Sequence, residues 1–236
     1  MMEDARAYEE LRVGFTAAVS HELRTPLARL LALIDSAALT GDDRDDLLAQ
    51  AREQVEEMSE LIDDILFLSE LESGRQVVAL GPTPVLPVLE EVRDRLSNRA
   101  EDADVRVVIE AEPTVQLPLR RRMLQVVAEN LAENSIRYAG PGATLTLRAQ
   151  AGLLEAADDG RGLEEEDLPR LFERFYRSDR ARASRGTGLG LAIVKHVVVS
   201  AGGQVEAEGG PGRGLRIRCT FPAPSVLPRS ERQRSS

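Results

Sequence analysis

The chain contains no tryptophan, one cysteine and two histidines among its 236 residues. Aromatic residues make up only 3%, so the core must be packed from Leu, Val, Ala and Ile, which the 42% hydrophobic fraction can supply. A single cysteine excludes an internal disulfide and fits a reducing cytoplasm. Cys219 alternates with Leu215, Ile217 and Phe221 in L-R-I-R-C-T-F, so it reads as the buried face of a strand and not as a reactive thiol. No apolar run approaches the roughly 20 residues that span a bilayer. The start has no basic region followed by an apolar core, so no signal peptide is expected. A soluble, cytoplasmic chain without a membrane span is the expectation. The net charge of −10 argues against a nucleic-acid partner, because a phosphate backbone would be repelled. The short basic run Arg120-Arg121-Arg122 does not reverse that balance.

What is present divides along the chain. Residues 5 to 38 keep helical spacing through Leu11, Phe15, Val19, Leu23, Leu27, Leu30, Ile34 and Ala38. Gly41 should end that helix, and Asp42 and Asp43 suit the cap of a second. The second carries Leu47, Ala51, Val55, Met58, Ile62, Ile65, Leu68 and Leu71 and stops at Ser73-Gly74. Two such helices form an antiparallel hairpin whose long apolar stripe stays wet if it is alone. Pairing with a second copy into a four-helix bundle covers the stripe, so a homodimer is predicted. Gly81-Pro82-Thr83-Pro84 marks a linker. Beyond it, helix-like segments near 85–100, 120–138 and 188–201 mix with strand-like segments at 105–110, 144–149, 153–157, 204–208 and 215–221. That mixture predicts an α+β sandwich with helices on one side of a sheet. The expected organisation is a hairpin over 1–73, a linker over 74–84, an α/β sandwich domain over 85–222 and a disordered tail over 223–236.

Four patches carry chemistry. In F-T-A-A-V-S-H-E-L-R-T-P-L, His21 is followed by Glu22, with Thr25 one helical turn on and Pro26 beside it. Pro26 has no N–H, so the carbonyl of Glu22 loses its helical partner. An imidazole with an ordinary pKa of about 6.5 is largely neutral and nucleophilic near neutrality. An adjacent carboxylate can orient one ring nitrogen while the other attacks. In Q-V-V-A-E-N-L-A-E-N-S-I-R-Y, Asn130 and Asn134 share a helix face. Their amide oxygens suit Mg²⁺, which takes its other ligands from water and phosphate. In D-D-G-R-G-L, Asp158 at a strand end can accept from an exocyclic amine, and the glycines let backbone approach a ligand. Finally, R-G-T-G-L-G-L-A-I-V-K runs a glycine-rich loop into a helix whose first N–H groups can face phosphate. It lacks the strand pattern of a dinucleotide fold. The aromatic cluster L-F-E-R-F-Y-R at 171–177 precedes that loop and could anchor it as a lid.

Together, in this order, these pieces resemble the sensor histidine kinases of bacterial two-component systems, over about residues 8 to 222. S-H-E-L-R-T-P-L looks like the phospho-acceptor box, N-L-A-E-N-S-I-R-Y the asparagine box, D-D-G-R-G-L and G-T-G-L-G-L the two glycine boxes, and L-F-E-R-F-Y-R the phenylalanine box. The resemblance implies an ATP-dependent protein histidine kinase built from a dimerisation hairpin and an ATP-binding domain of the histidine kinase and chaperone ATPase type. His21 would be phosphorylated, with Glu22 as acid/base partner and Thr25 serving dephosphorylation of the partner protein. Asn134 and Asn130 would hold Mg²⁺ and the phosphates. Arg137 would contact phosphate, Tyr138 would lie against adenine, and Asp158 would bind its amine, with Gly160 and Gly162 opening the pocket. Gly186, Thr187, Gly188, Leu189 and Gly190 would form the lid, and Arg177 would reach the γ-phosphate. The partner would be a response regulator receiver domain, and the family's usual upstream tether implies either the cytoplasmic portion of an inner-membrane sensor or a soluble kinase with a partner sensor. Departures are Arg120, where an acid usually opens the helix, Asp159 in place of Asn, and Ala201 before a Gly-Gly pair. His196 matches no phospho-acceptor pattern. A non-catalytic nucleotide-sensing dimer that sequesters a regulator is the alternative, although intact His21, Glu22, Asn134 and Asp158 argue against it. A chaperone or mismatch-repair ATPase would lack the H-E-L-R-T-P helix.

Overall fold

The computed structural model describes residues 2–39, 44–73, 81–178 and 186–222, with side chains from residue 19 onward. The expectations for Gly41 to Asp43, for Gly74 and for the tail lie outside the described residues. Two compact units are formed, one within Met1–Gln76 and Phe172–Ile193, the other within Val77–Leu171 and Val194–Ser236.

The first unit is built on the expected hairpin, α1 (Met2–Leu39) and α2 (Arg44–Glu72). Ala51, Gln54, Leu61, Leu68 and Leu71 are buried along α2, with Met58 and Ile65 half-buried between them. These steps of three and four residues are the seam of a coiled coil. Asp45 and Asp46 in the first turn of α2 complement the positive end of its dipole. A second apolar set remains exposed. It comprises Leu27, Leu31 and Ile34 on α1, and Leu48, Val55, Ile62 and Leu66 on α2. Among the described residues, the single apolar stripe read from sequence is therefore two sets, one buried and one exposed.

The second unit is the expected sandwich. Its sheet orders β2 (Arg106–Ala111), β4 (Thr144–Gln150), β5 (Leu153–Asp158), β7 (Leu215–Thr220) and β6 (Gln204–Gly209). Strand β2 pairs parallel to β4, and every other neighbour is antiparallel. A parallel pair needs a crossover, and α5 (Arg121–Tyr138) lies in that connection. One face of the sheet contributes Leu145, Leu147, Leu154, Ile217 and Cys219 to the core. The helices add Val88, Leu89 and Val92 from α3 (Leu86–Arg95), Leu124, Val127 and Leu131 from α5, and Val194, Val197 and Val198 from α6 (Gly190–Ser200). Burial pushes the Cys219 thiol up to about 12, which keeps it protonated and inert, as its strand position predicted.

The opposite face carries a charge ladder. Glu110, Arg148, Glu155, Arg218 and Glu206 stand opposite one another on successive strands. Arg148 meets Glu110 at 2.7 Å and Glu155 at 3.2 Å, and Arg218 meets Glu155 at 3.0 Å and Glu208 at 2.9 Å. Glu155 is only 5% exposed because these long side chains lie over it.

Three differences from the expectation have local causes. The segment expected as one helix near 85–100 breaks at Leu96, with φ −92° and ψ 3°, into α3 and α4 (Ser97–Asp102). Thr83 and Pro84, expected as linker, form strand β1 paired with β3 (Gln116–Leu117). Thr83 also donates its hydroxyl to the Leu119 carbonyl. A short 3₁₀ turn forms at Glu165–Arg170, a stretch too short to show a period in the sequence.

Candidate functional site

On the hairpin, α1 continues through Pro26. The Thr25 hydroxyl donates to the His21 carbonyl at 3.5 Å, a weak bond. The His21 ring is 77% exposed, and Glu22 Oε1 lies 3.8 Å from its Nδ1. That separation is an electrostatic contact and not a hydrogen bond. A carboxylate beside Nδ1 favours the proton on that nitrogen and leaves the Nε2 lone pair to act as nucleophile. His21, Glu22 and Thr25 are therefore together, on an accessible helix surface.

In the second unit, α5 has three faces. The buried face holds Met123, Leu124, Val127, Ala128, Leu131, Ala132, Ser135 and Ile136. A second face pairs Glu129 with Arg95, and Glu133 with Arg99 at 2.7 Å. The remaining face presents half-buried Asn130, Asn134 and Tyr138 and exposed Arg137. Arg120 at the N-cap makes no side-chain capping bond, which agrees with the expected departure at this helix start. Asn130 donates its amide nitrogen to the Val126 carbonyl at 2.9 Å, so that bond leaves its amide oxygen uncommitted. Asn134 forms no side-chain hydrogen bond among the described residues, which leaves its amide oxygen available as a ligand. No group of three or more His, Cys, Asp or Glu that could hold a metal exists among the described residues. A divalent cation here would find the neutral amide oxygens of Asn130 and Asn134, a ligand type that Mg²⁺ accepts beside water.

Asp158 ends β5, and its carboxylate is held from three directions. Oδ2 accepts the Ser135 hydroxyl at 2.9 Å. Oδ1 accepts the Gly160 amide at 3.1 Å and the Leu215 amide at 3.2 Å. Burial raises the Asp158 pKa, the three hydrogen bonds oppose that rise, and neighbouring Asp159 adds to it. Asp159 has a structural task. Its Oδ1 accepts the Thr144 amide at 2.6 Å while its own amide donates to the Thr144 carbonyl at 3.3 Å.

Glycine is required where backbones touch. A Cβ on Gly160 would stand 2.4 Å from the Ala139 oxygen, and one on Gly162 would stand 2.0 Å from the Gly210 oxygen. The turn between β6 and β7 closes over this loop. Gly212 donates to the Arg161 carbonyl at 2.7 Å and Gly214 donates to the Gly160 carbonyl at 3.1 Å.

The segment expected as a lid belongs to the first unit. Phe175, with φ 61°, donates its amide to the Gly188 carbonyl at 3.0 Å, tying the aromatic cluster to the glycine loop. A Cβ on Gly188 would lie 2.8 Å from Phe175 backbone. Thr187 accepts the Leu189 amide at 3.1 Å and donates its hydroxyl to Asp64 of α2 at 3.0 Å. Arg174 pairs with Glu72. Leu189 is fully buried, Arg177 is half-buried, and Gly190 opens α6.

The structure thus places Asn130, Asn134, Arg137, Tyr138, Asp158, Gly160 and Gly162 in the second unit, the first four along one face of α5 and the last three at the end of β5 and the loop after it. It places Arg177 and Gly186 to Gly190 in the first unit, the unit that holds His21. Sequence reading missed Ser135, Gly214 and Leu215. The glycines at 209–214 do signal a turn, but nothing local says which loop the turn covers.

Residues 11–74 match the His Kinase A (phospho-acceptor) domain, and residues 120–225 match the histidine kinase-, DNA gyrase B-, and HSP90-like ATPase family. The phosphate regulon sensor protein PhoR of Pseudomonas aeruginosa is 34% identical over 235 residues, covering 95% of this chain and 53% of that protein. The structure of the Acinetobacter baumannii histidine kinase AdeS matches with a TM-score of 0.69 at 25% identity, covering 85% of this chain and 98% of that one. Full-length ShkA in complex with AMPPNP matches with a TM-score of 0.59 at 27% identity, covering 88% of this chain and 46% of that one. The chain spans about half the length of the curated relatives it matches. No helix among the described residues is long and apolar enough to cross a membrane.

Proposed function

The chain belongs to the sensor histidine kinase family, as its catalytic core, and on that premise we propose that it phosphorylates itself on His21 from ATP and passes the phosphoryl group to an aspartate of a response regulator receiver domain. The observation that carries this reading is one chain holding both an exposed, carboxylate-flanked histidine and a half-buried, pre-oriented Asp158 beside an asparagine-bearing helix. Phosphoryl transfer is chiefly a matter of positioning and charge neutralisation, so no elaborate catalytic constellation is needed.

In the proposed mechanism, Asp158 accepts the exocyclic amine of adenine, and Tyr138 lies against the ring. Gly160 and Gly162 keep the pocket free of side chains. Asn134, with Asn130 beside it, would hold Mg²⁺, which neutralises phosphate charge when bound. Arg137 would supply positive charge to the phosphates. Nε2 of His21 attacks the γ-phosphorus, the bond to the β-bridging oxygen breaks, and ADP leaves. Glu22 stabilises the proton on Nδ1 as positive charge builds on the ring. Thr25, one turn away, positions water for dephosphorylation of the regulator.

Two copies of the hairpin form the working unit. The reading is supported by the uncovered apolar residues Leu27, Leu31, Ile34, Leu48, Val55, Ile62 and Leu66, which a second hairpin would bury. The use of ATP and of a receiver domain supports reading the chain as the cytoplasmic output portion of a sensor.

Incubation with γ-labelled ATP and Mg²⁺ tests the proposal. The expected result is an acid-labile, base-stable protein label that His21→Ala abolishes and Thr25→Ala retains. ATP hydrolysis with no label on the protein overturns it.

A further inference from the structure

A carboxylate offers about four acceptor positions, two on each oxygen. On Asp158, the Gly160 and Leu215 amides fill both positions of Oδ1, and the Ser135 hydroxyl fills one of Oδ2. One position remains, on the oxygen that Ser135 holds. Ser135 is 4% exposed, within the apolar face of α5 next to Leu131 and Ile136. A serine in a helix interior usually returns its hydroxyl to the carbonyl four residues back. Here the hydroxyl is turned instead to a carboxylate 23 positions away in sequence.

We propose that Ser135 is a positioning residue that sets base selectivity: by donating to Oδ2 it aims the last acceptor position of Asp158 at an exocyclic amine and so favours adenine over 6-oxo purines. The proposal rests on the reading that Asp158 takes the adenine amine. Every protein group bonded to Asp158 is a donor, so the ionised carboxylate presents only acceptor character to a ligand. An adenine amine donates into that position, whereas the 6-oxygen of hypoxanthine meets it lone pair to lone pair. Burial works against this arrangement by favouring the protonated acid, which could donate to a 6-oxo base. Of the influences that hold Asp158 ionised, the Ser135 bond is the largest. Ser135 therefore acts twice, on the direction of the acceptor and on its existence as an acceptor.

The test compares Mg·ADP with Mg·IDP by titration calorimetry on the full chain, for the parent, Ser135→Ala and Ser135→Thr. Loss of one hydrogen bond to a charged group should weaken ADP about tenfold in Ser135→Ala. IDP affinity should hold or rise, so the ADP-to-IDP preference contracts. Ser135→Thr, which keeps the hydroxyl, should retain the preference even if its extra methyl weakens both nucleotides. Melting temperatures from circular dichroism identify general loosening. Equal weakening of ADP and IDP in Ser135→Ala, or an unchanged preference, overturns the inference. A parent chain that binds ADP and IDP alike sinks the underlying assignment of Asp158 instead.

Discussion

Replacing Gly160 by alanine isolates the contact that keeps Asp158 in place. With the backbone unmoved, the new Cβ would lie 2.4 Å from the Ala139 oxygen, 2.5 Å from its Cα and 2.6 Å from its Cβ. Comfortable carbon contacts lie near 3.5–4.0 Å, so the loop and the end of α5 must part by roughly 1 Å. Two hydrogen bonds are at risk from that movement. Arg161 donates to the Ala139 carbonyl at 2.9 Å, and Gly160 donates to the Asp158 carboxylate at 3.1 Å. A neutral bond contributes about 1 kcal/mol and one to a charged group about 1.5–3 kcal/mol. The reduced freedom of the unfolded chain offsets roughly 0.4–1 kcal/mol of that loss. A net destabilisation of about 2–3 kcal/mol is expected. Gly142→Ala is the matched control, because Gly142 has φ +80° and nothing within 4 Å of an added Cβ. It should cost only the left-handed conformation, about 1 kcal/mol. The chain has no tryptophan, so urea unfolding is followed by circular dichroism, with ADP affinity measured in parallel. Gly160→Ala should lose more stability than Gly142→Ala and should alone lose at least tenfold in ADP affinity. If Gly160→Ala unfolds no earlier than the control, or binds ADP normally, close packing on Ala139 is not what orients the carboxylate.

Asp158→Asn should stabilise the nucleotide-free domain while destroying ADP binding. The folded-state pKa of Asp158 is raised by burial, so the native state holds its proton more tightly than the unfolded chain does. The resulting penalty is fully present above the folded pKa and vanishes below the ordinary carboxylate range. The stability gain of the variant should therefore be largest at neutral pH and fade on acidification; a gain independent of pH contradicts this. Glu155→Ala leaves Arg148 and Arg218 without their shared acceptor and should lower the melting temperature by about 4–8 °C, with Glu155→Gln intermediate. An unchanged melting temperature would show the ladder to be energetically idle. Leu31→Lys combined with Leu66→Lys should convert a dimer to a helical monomer in sedimentation, because both side chains are more than half exposed in the single chain. A variant that still sediments as a dimer would move the interface elsewhere.

Strong periodicity makes most elements readable from the sequence. The hairpin and the five long strands repeat every three to four or every two residues over enough length to be decisive. The β1 and β3 strands have two residues each, and no period exists at that length. The break at Leu96 is hidden because the polar run Ser97–Asp102 is itself helical. A glutamate inside a strand gives no local sign of burial, and that of Glu155 depends on arginines from two other strands. Ser135 escapes notice for a similar reason: a small residue on an apolar helix face looks like core, and its partner lies on another element.

The readable and unreadable parts of the Asp158 site differ in kind. Two of its three donors are backbone amides, at Gly160 and Leu215, and no side-chain replacement at those positions removes an amide other than proline. What side-chain identity controls is whether the backbones can come close enough to donate. Three approaches are too tight for any Cβ: Gly160 on Ala139, Gly162 on Gly210, and Gly214 on Asp158 itself, where a Cβ would lie 1.9 Å from the carbonyl oxygen. Glycines therefore mark this site in the sequence although none of them supplies a side chain to it. Ser135 is the exception, a donor supplied by a side chain. It is the one hydrogen bond to Asp158 that a conservative substitution removes while every backbone contact stays in place, which makes it the point at which selectivity and folding can be separated.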